Sequence, residues 1–184
     1  LDSWKKFKTE DTIIIQIKGE PSKKIRLRWS ENGPILNKKT SQISDITPPN
    51  HEMALQWTAL SSKDTSMSAL MNLTYSKDLE TALKALEKHV APSLNYTIID
   101  KENLALQLAG KLPIRNKDHN TRGRLPSFGY IEKNRWLGYH PYDKNPRFIN
   151  PKSGLIANTN NKVIEEIFPN HISYDWGDSQ RIER

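Results

Sequence analysis

The spacing of the apolar residues changes at Pro92, and this change limits the possible folds more than any other feature of the sequence. Before Pro92, apolar residues recur at helical spacing, at Leu79, Ala82, Leu83, Leu86 and Val90. After it, segments 95–100 and 103–109 have strand patterns, and Leu104, Leu106 and Leu108 alternate in the second. The sequence therefore predicts a helix with Ser76 as its N-cap, then a hairpin that turns at Lys101-Glu102.

The part of the chain before residue 60 carries mainly strand patterns. Alternating apolar residues predict strands at 12–18, 24–29 and 52–58, and Gly19-Glu20-Pro21-Ser22 predicts a turn between the first two. The polar segment 30–50 is predicted to be a loop with a short strand at Ile35-Leu36. A short helix is predicted at 65–73.

Residues 110–154 have no periodicity, yet they are rich in aromatic side chains. This segment holds five of the eleven prolines and five of the eight glycines. It also holds large rings at Phe128, Tyr130, Trp136, Tyr139, Tyr142 and Phe148. A solvated linker has few such rings, so we expect a long, ordered, irregular loop region that packs on a neighbouring surface.

The composition excludes several kinds of chemistry. The 184 residues include no cysteine, which excludes disulfides, thiolate zinc sites and cysteine nucleophiles. The five histidines are scattered, so no single element predicts a metal site. No apolar run approaches the length of about 18 residues that a membrane-spanning helix needs.

The net charge of +7 is concentrated in one stretch of the chain. Residues 111–124 carry +4, and Phe128 and Tyr130 follow them. Basic side chains near rings are used to bind single-stranded nucleic acid, so one alternative is a basic module that binds nucleic acid or an acidic surface. A solvated cationic loop explains the same residues more simply.

Asn95 and Arg115 form a candidate catalytic pair. If the hairpin turns at Lys101-Glu102, the start of its first strand lies beside the end of its second. Asn95 then shares one end of the sheet with the segment that leads to Arg115. An asparagine N–H is a directed, uncharged donor suited to an oxyanion. Spacing alone also allows Asn95 to cap a turn, and it favours that simpler role.

Several strings resemble the penicillin amidase (penicillin acylase) family of N-terminal nucleophile hydrolases. They are Pro92 to Asp100, Asn103 to Arg115, Gly123 to Tyr130, Trp136 to Tyr142, Asn145 to Asn161 and Phe168 to Trp176. Two shorter matches lie upstream, Asn32 to Leu36 and Ala54 to Thr58. The sequence departs from the family pattern at Asn32, Ile99 and Glu102-Asn103.

The resemblance implies an amide hydrolase whose nucleophile is the serine that begins the β-chain after self-cleavage, with its own α-amine as the base. Asn95 matches the oxyanion-hole asparagine of the family, and Arg115 matches an arginine that orients the site. Ser3 is not in the expected Ser-Asn setting and is not assigned as the nucleophile. We therefore expect an internal part of a β-chain that is inactive alone.

The resemblance also implies an α+β fold, part of an αββα sandwich with antiparallel hairpins, one or two helices and a long irregular loop region. Within this one segment we expect a β-rich part (1–60), a helical part (61–92), a core hairpin (93–110) and an ordered loop region (111–184). Expected partners are the α-chain, the rest of the β-chain and a small acyl-amide substrate, with no nucleic acid or membrane.

Two further expectations concern metal binding and location. The segment is expected to hold no cofactor, although the intact protein could bind a structural Ca²⁺ and Asp100 could contribute a ligand. A strand-end aspartate that faces water is the simpler expectation for Asp100. The resemblance implies a periplasmic or extracellular location.

Overall fold

A computed structural model describes residues 9–38, 42–165, 167–177 and 179–181. The chain divides into two compact units, of which the first ends at Leu60 and the second begins at Ser61. The opening residues around Ser3 lie outside the described residues.

The first unit contains a three-stranded antiparallel sheet. Its strands are β1 (Thr9–Ile17), β2 (Glu20–Ser30) and β3 (Gly33–Pro34), in the order β1-β2-β3. The predicted hairpin is confirmed, but its turn is shorter than expected. The turn is Lys18-Gly19, where Gly19 has φ +79°, a conformation that favours glycine. The proline that marked the predicted turn, Pro21, lies inside β2.

The predicted strand at 52–58 is wrong. Its residues contribute one isolated bridge, between Ile35 and Ala54, and Thr58–Leu60 forms a 3₁₀ helix. The backbone N–H of Leu55 donates to Pro34 (2.9 Å), so this segment does pair with residues after β2, but over too short a stretch to form a strand. The predicted loop also contains a short helix, α1 (Ile43–Ile46), which sequence periodicity did not reveal.

The second unit begins with two helices, α2 (Ser66–Thr74) and α3 (Leu79–Leu86). The α3 helix starts two residues later than predicted, because Asp78 rather than Ser76 is its N-cap. The Asp78 side chain accepts from the Thr81 N–H in a capping box (2.8 Å). The helix ends at Leu86, and Val90 lies beyond it, where its N–H donates to Ser66 Oγ (2.9 Å).

The predicted hairpin is confirmed, and it supplies two of the three strands of an antiparallel sheet. The hairpin strands are β4 (Leu94–Ile99) and β5 (Leu104–Ala109), and β8 (Arg147–Ile149) pairs with β5, which is the central strand. The core of this unit includes Leu86, Leu106, Leu108 and Ala109. Helix α3 and strand β5 therefore both contribute apolar side chains to the core of this unit.

The segment 110–154 is not wholly irregular, so that prediction is corrected. It contains β6 (Pro113–Arg115) paired with β7 (Trp136–Tyr139), in addition to β8. The described part of the second unit also contains short 3₁₀ helices at Glu132–Asn134, Tyr142–Lys144 and Ser179–Arg181. Strands of three or four residues are too short for alternation to be visible in the sequence.

One face of the β4-β5-β8 sheet is turned towards the helices. The Tyr96 ring meets the His89 ring edge-on at 5.8 Å, and the Arg147 guanidinium lies 5.1 Å from the Tyr142 ring centroid. The Tyr142 hydroxyl in turn donates to the Leu83 carbonyl of α3 (3.0 Å). These contacts fix the orientation of the sheet against the helical layer.

Asp100 links the hairpin turn to the start of α3 and does not merely face water, contrary to the simpler expectation. Its carboxylate accepts from the backbone N–H groups of Glu102 (2.9 Å), Asn103 (2.7 Å) and Leu79 (2.9 Å). These hydrogen bonds lower the pKa of Asp100 to about 2, and those from Glu102 and Leu79 contribute most.

This arrangement predicts acid sensitivity of the second unit. Because the folded-state pKa of Asp100 is depressed, its stabilising contribution is present above its unfolded pKa of about 3.9 and is lost as the pH falls through about 2. Asp100→Asn should flatten the fall in urea midpoint between about pH 4 and pH 2. The exposed Asp118, replaced by Asn, is the control, and equal pH profiles for both variants would contradict the assignment.

Candidate active site

Asn95 lies near the start of β4, directly opposite Leu108 of β5. Successive strand residues point to opposite faces, so Asn95 lies on the face opposite to that of Tyr96, which contacts His89. Ile99 shares the Asn95 face and is 76% exposed. Asn95 is thus on the face that is turned away from the α3 contacts.

The amide group of Asn95 is uncommitted. The side chain is half-buried and makes no hydrogen bond to any of the described residues, and its Oδ1 is buried without a partner. Buried polar atoms are nearly always hydrogen-bonded, so such an atom calls for an explanation. A turn-capping asparagine would bond to nearby backbone, and no hydrogen bond of that kind supports the simpler role.

Arg115 ends β6 and contacts the next strand. Its partner in β7 is Trp136, and the register shifts between Ile114 and Arg115. The guanidinium carbon lies 5.9 Å from the Trp136 ring centroid, within cation–π distance. Burial lowers the pKa of Arg115, but an arginine keeps its charge at neutral pH. Its Nε is buried and has no hydrogen-bond partner among the described residues.

The hairpin register confirms the expected position of the backbone around the pair. Leu94 pairs with Ala109, so β4 starts beside the end of β5, and the chain then continues through Leu112 into β6. The structure therefore brings the start of Asn95's strand and the segment that leads to Arg115 to one end of the sheet. Within the described residues, no hydrogen bond or ion pair joins these two side chains.

Residues 116–124, which we call the arginine loop, turn back towards Arg115. His119 is 8% exposed, and its Nδ1 accepts from the backbone N–H groups of Thr121 (3.2 Å) and Arg122 (2.9 Å). Burial and the nearby charge of Arg115 lower the pKa of His119. The neutral ring carries its proton on Nε2, because Nδ1 serves as an acceptor.

The following segment helps to hold the arginine loop in place. Asn134 is 6% exposed, and its Oδ1 accepts from the Asn120 N–H (3.0 Å). Its Nδ2 donates to the Phe128 carbonyl (3.0 Å). A buried side chain that bonds on both sides fixes the relative position of two loop segments.

The basic residues of 111–124 are partly engaged within the chain. Arg124 lies 3.8 Å from Asp175 and 5.7 Å from the Tyr174 ring centroid. Lys111 lies 5.1 Å from the Tyr139 ring centroid, while Arg115 faces Trp136. Three of the basic side chains therefore face rings of the same chain, whereas the Phe128 and Tyr130 rings of the alternative lie against each other, with centroids 5.4 Å apart. This geometry does not favour the nucleic-acid alternative.

Sequence reasoning missed three residues around Arg115, namely His119, Gly123 and Trp136. They lie in a segment without periodicity, and their proximity depends on the pairing of β6 with β7. The one available signal was a glycine within a run of basic residues, since such a glycine can mark a close backbone approach. That signal does not specify which side chain is approached.

The described part of the chain contains neither a metal-binding cluster nor a membrane-spanning helix. No group of three or more histidine, aspartate or glutamate side chains is placed there to hold a metal ion. Among the described helices, none is long and apolar enough to span a membrane. The structural Ca²⁺ of the intact protein stays a prediction.

The fold matches a solved structure of thermostable penicillin G acylase from Alcaligenes faecalis. The TM-score is 0.75 at 21% identity, and the match covers 96% of this chain and 30% of that one. The structure thus has the α+β fold of part of an N-terminal nucleophile hydrolase. At this level of identity, the match establishes the fold alone.

The sequence comparisons identify the family. The penicillin amidase family profile matches residues 1–184, and the chain belongs to that family. It is 29% identical over 173 residues to the acyl-homoserine lactone acylase QuiP of Pseudomonas fluorescens, covering 91% of this chain and 20% of that protein. It is 32% identical over 94 residues to the penicillin G acylase of Escherichia coli, covering 50% of this chain and 11% of that protein. The chain thus spans about a fifth or less of the length of these two relatives.

Proposed function

We propose that the complete protein containing this chain is an acylase that hydrolyses a linear amide bond. The acyl group is transferred to an N-terminal serine outside this chain, and water then releases the acid. Family membership and the uncommitted amide of Asn95 support this proposal. Its partners within the protein are the α-chain and the rest of the β-chain, and Ca²⁺, where bound, has a structural role.

Asn95 has the role of an oxyanion donor in this proposal. When the serine oxygen attacks the amide carbon, the carbonyl oxygen gains negative charge. An Nδ2–H donor fixed on a strand can stabilise that charge without having to reorganise. The absence of a competing hydrogen bond to any described residue leaves the amide available, and this is the observation on which the assignment mainly rests.

Arg115 has the role of a site-orienting cation. A guanidinium has a planar, directed set of N–H donors, and contact with Trp136 restricts its orientation. Its partial burial strengthens its electrostatic effect on neighbouring groups. In this proposal it keeps the residues around the scissile amide in their reactive arrangement.

The proposed substrate is a small molecule in which an acyl group is linked to an amine. The relatives are named acyl-homoserine lactone acylase and penicillin acylase, and both names describe removal of an acyl group. The acyl chain itself is not specified by the residues of this chain.

The test is amine release by protein expressed from the complete open reading frame. Phenylacetyl amides, penicillins and fatty-acyl homoserine lactones form the substrate panel, and amine release is followed by chromatography. We expect hydrolysis of at least one of them by the complete protein and none by the 184-residue chain. Hydrolysis by the purified chain, or none by the complete protein, would contradict the proposal.

A further inference from the structure

The backbone of Gly123 approaches the Arg115 guanidinium unusually closely. A Cβ atom built at Gly123 would lie 2.6 Å from Nε, 2.7 Å from Cζ and 2.7 Å from Nη2 of Arg115. Real Cβ contacts essentially never fall below 3.0 Å, so a side chain at this position and the guanidinium cannot occupy their present places together. The glycine therefore forms one wall of the space that holds the guanidinium.

The conformation of Gly123 also requires glycine. Its φ is +89°, and the preceding Arg122 has φ +52°. Two successive residues with positive φ reverse the chain sharply and carry the backbone towards Arg115. The tight turn is therefore what brings the Gly123 backbone close to the Arg115 guanidinium.

Trp136 lies at cation–π distance from the same guanidinium. It is the strand partner of Arg115, and its ring centroid is 5.9 Å from Cζ. The position of Gly123 is fixed independently, because the Nδ1 atom of the buried His119 accepts from the two backbone N–H groups just before the glycine. The guanidinium is therefore bounded by elements that are themselves held in place.

We propose that Gly123 is a positioning residue of the acylase, which keeps the Arg115 guanidinium at its site by backbone contact. The inference rests on the proposed role of Arg115, and it extends that role to a residue that contacts no substrate. Small displacements of a positioned group can cost about 10²-fold in rate, so the effect should be visible in catalysis. His119 supports the arrangement by fixing the turn that presents Gly123.

The test is a double-mutant cycle in the protein from the complete open reading frame. Gly123→Ala should lower kcat/KM about 10²-fold, mainly through kcat, because the added methyl displaces the guanidinium. Arg115→Lys should cause a similar loss, since lysine lacks the planar donor set. In the Arg115→Lys background, Gly123→Ala should cost less than about 3-fold, because the group that it displaces is absent.

Gly19→Ala is the matched control for backbone strain. Gly19 has a similar φ of +79°, but a Cβ there would meet nothing within 4 Å. This variant should retain kcat/KM within about 3-fold of the unmodified protein. Thermal unfolding of all variants shows whether an effect on kcat reflects global loss of the fold.

A second readout does not depend on activity. The Arg115 Nε is buried, so its N–H in the 184-residue chain should exchange slowly with solvent in ¹⁵N NMR spectra. Gly123→Ala should accelerate that exchange at least 10-fold, whereas Gly19→Ala should not change it. This measurement reports on the access of solvent to the Arg115 guanidinium.

The outcomes separate the two proposals. If Arg115→Lys leaves kcat/KM unchanged, the site role of Arg115 is wrong, and the inference about Gly123 is overturned with it. If Arg115→Lys is impaired while Gly123→Ala behaves like Gly19→Ala, the proposed function stands and only the inference is overturned. Additive losses in the cycle would also overturn the inference.

Discussion

Replacing Asn95 with Ala in the complete protein should lower kcat at least about 10²-fold, with a much smaller change in KM. The oxyanion forms only as the reaction proceeds, so its donor stabilises the transition state more than the bound substrate. The Asn95 amide is half-buried on a paired strand and has no hydrogen-bond partner among the described residues, so it is free to donate to the oxyanion. Steady-state kinetics on the preferred amide substrate measure the effect.

Two further variants separate the donor role of Asn95 from its packing. Asn95→Asp keeps the shape but replaces the amide donors with a carboxylate, so it should be at least as impaired as the alanine variant. Asn72→Ala is the control, because Asn72 is exposed on α2. Near-unmodified kcat for Asn95→Ala would exclude the oxyanion role.

The helix and hairpin around Pro92 could be predicted because their apolar patterns extend over enough residues to be read. The buried residues of α3 recur at helical spacing, and β5 is long enough for its alternating leucines to be visible, although five of its six residues are buried. The position of Asn95 at the end of the sheet followed from that hairpin alone. Element ends were less predictable, since Asp78 and Ser76 are both suitable N-caps.

The surroundings of Arg115 could not be predicted in the same way. Gly123 meets the guanidinium because of a turn held by His119, and Trp136 does so through strand pairing. Neither relation produces a repeating pattern in the sequence. The strand predicted at 52–58 failed for the opposite reason, because alternation was present while its partner segment was too short to form a ladder.

Asn145 connects the loop before β8 to the end of β5. It is 3% exposed, and its Nδ2 donates to the carbonyl oxygens of Leu108 (3.1 Å) and Gly110 (3.0 Å). Leu108 is the strand partner of Asn95. The side chain of Asn145 therefore fixes the stretch of backbone that supports the proposed oxyanion donor.

Asn145→Ala should destabilise the second unit by about 2–4 kcal/mol, because the Gly110 carbonyl loses its side-chain donor and the removed amide leaves a void, while the Leu108 carbonyl keeps a bond from Gln107 Nε2 (2.7 Å). Urea unfolding of the 184-residue chain measures this loss, and Asn120→Ala, at an exposed loop position, is the control.

In the complete protein, Asn145→Ala should also lower kcat through displacement of Asn95. A variant as stable as the control would show that the two Asn145 hydrogen bonds do not hold this end of the sheet. A stability loss with unchanged kcat would instead show that the position of Asn95 is fixed by the strand ladder alone.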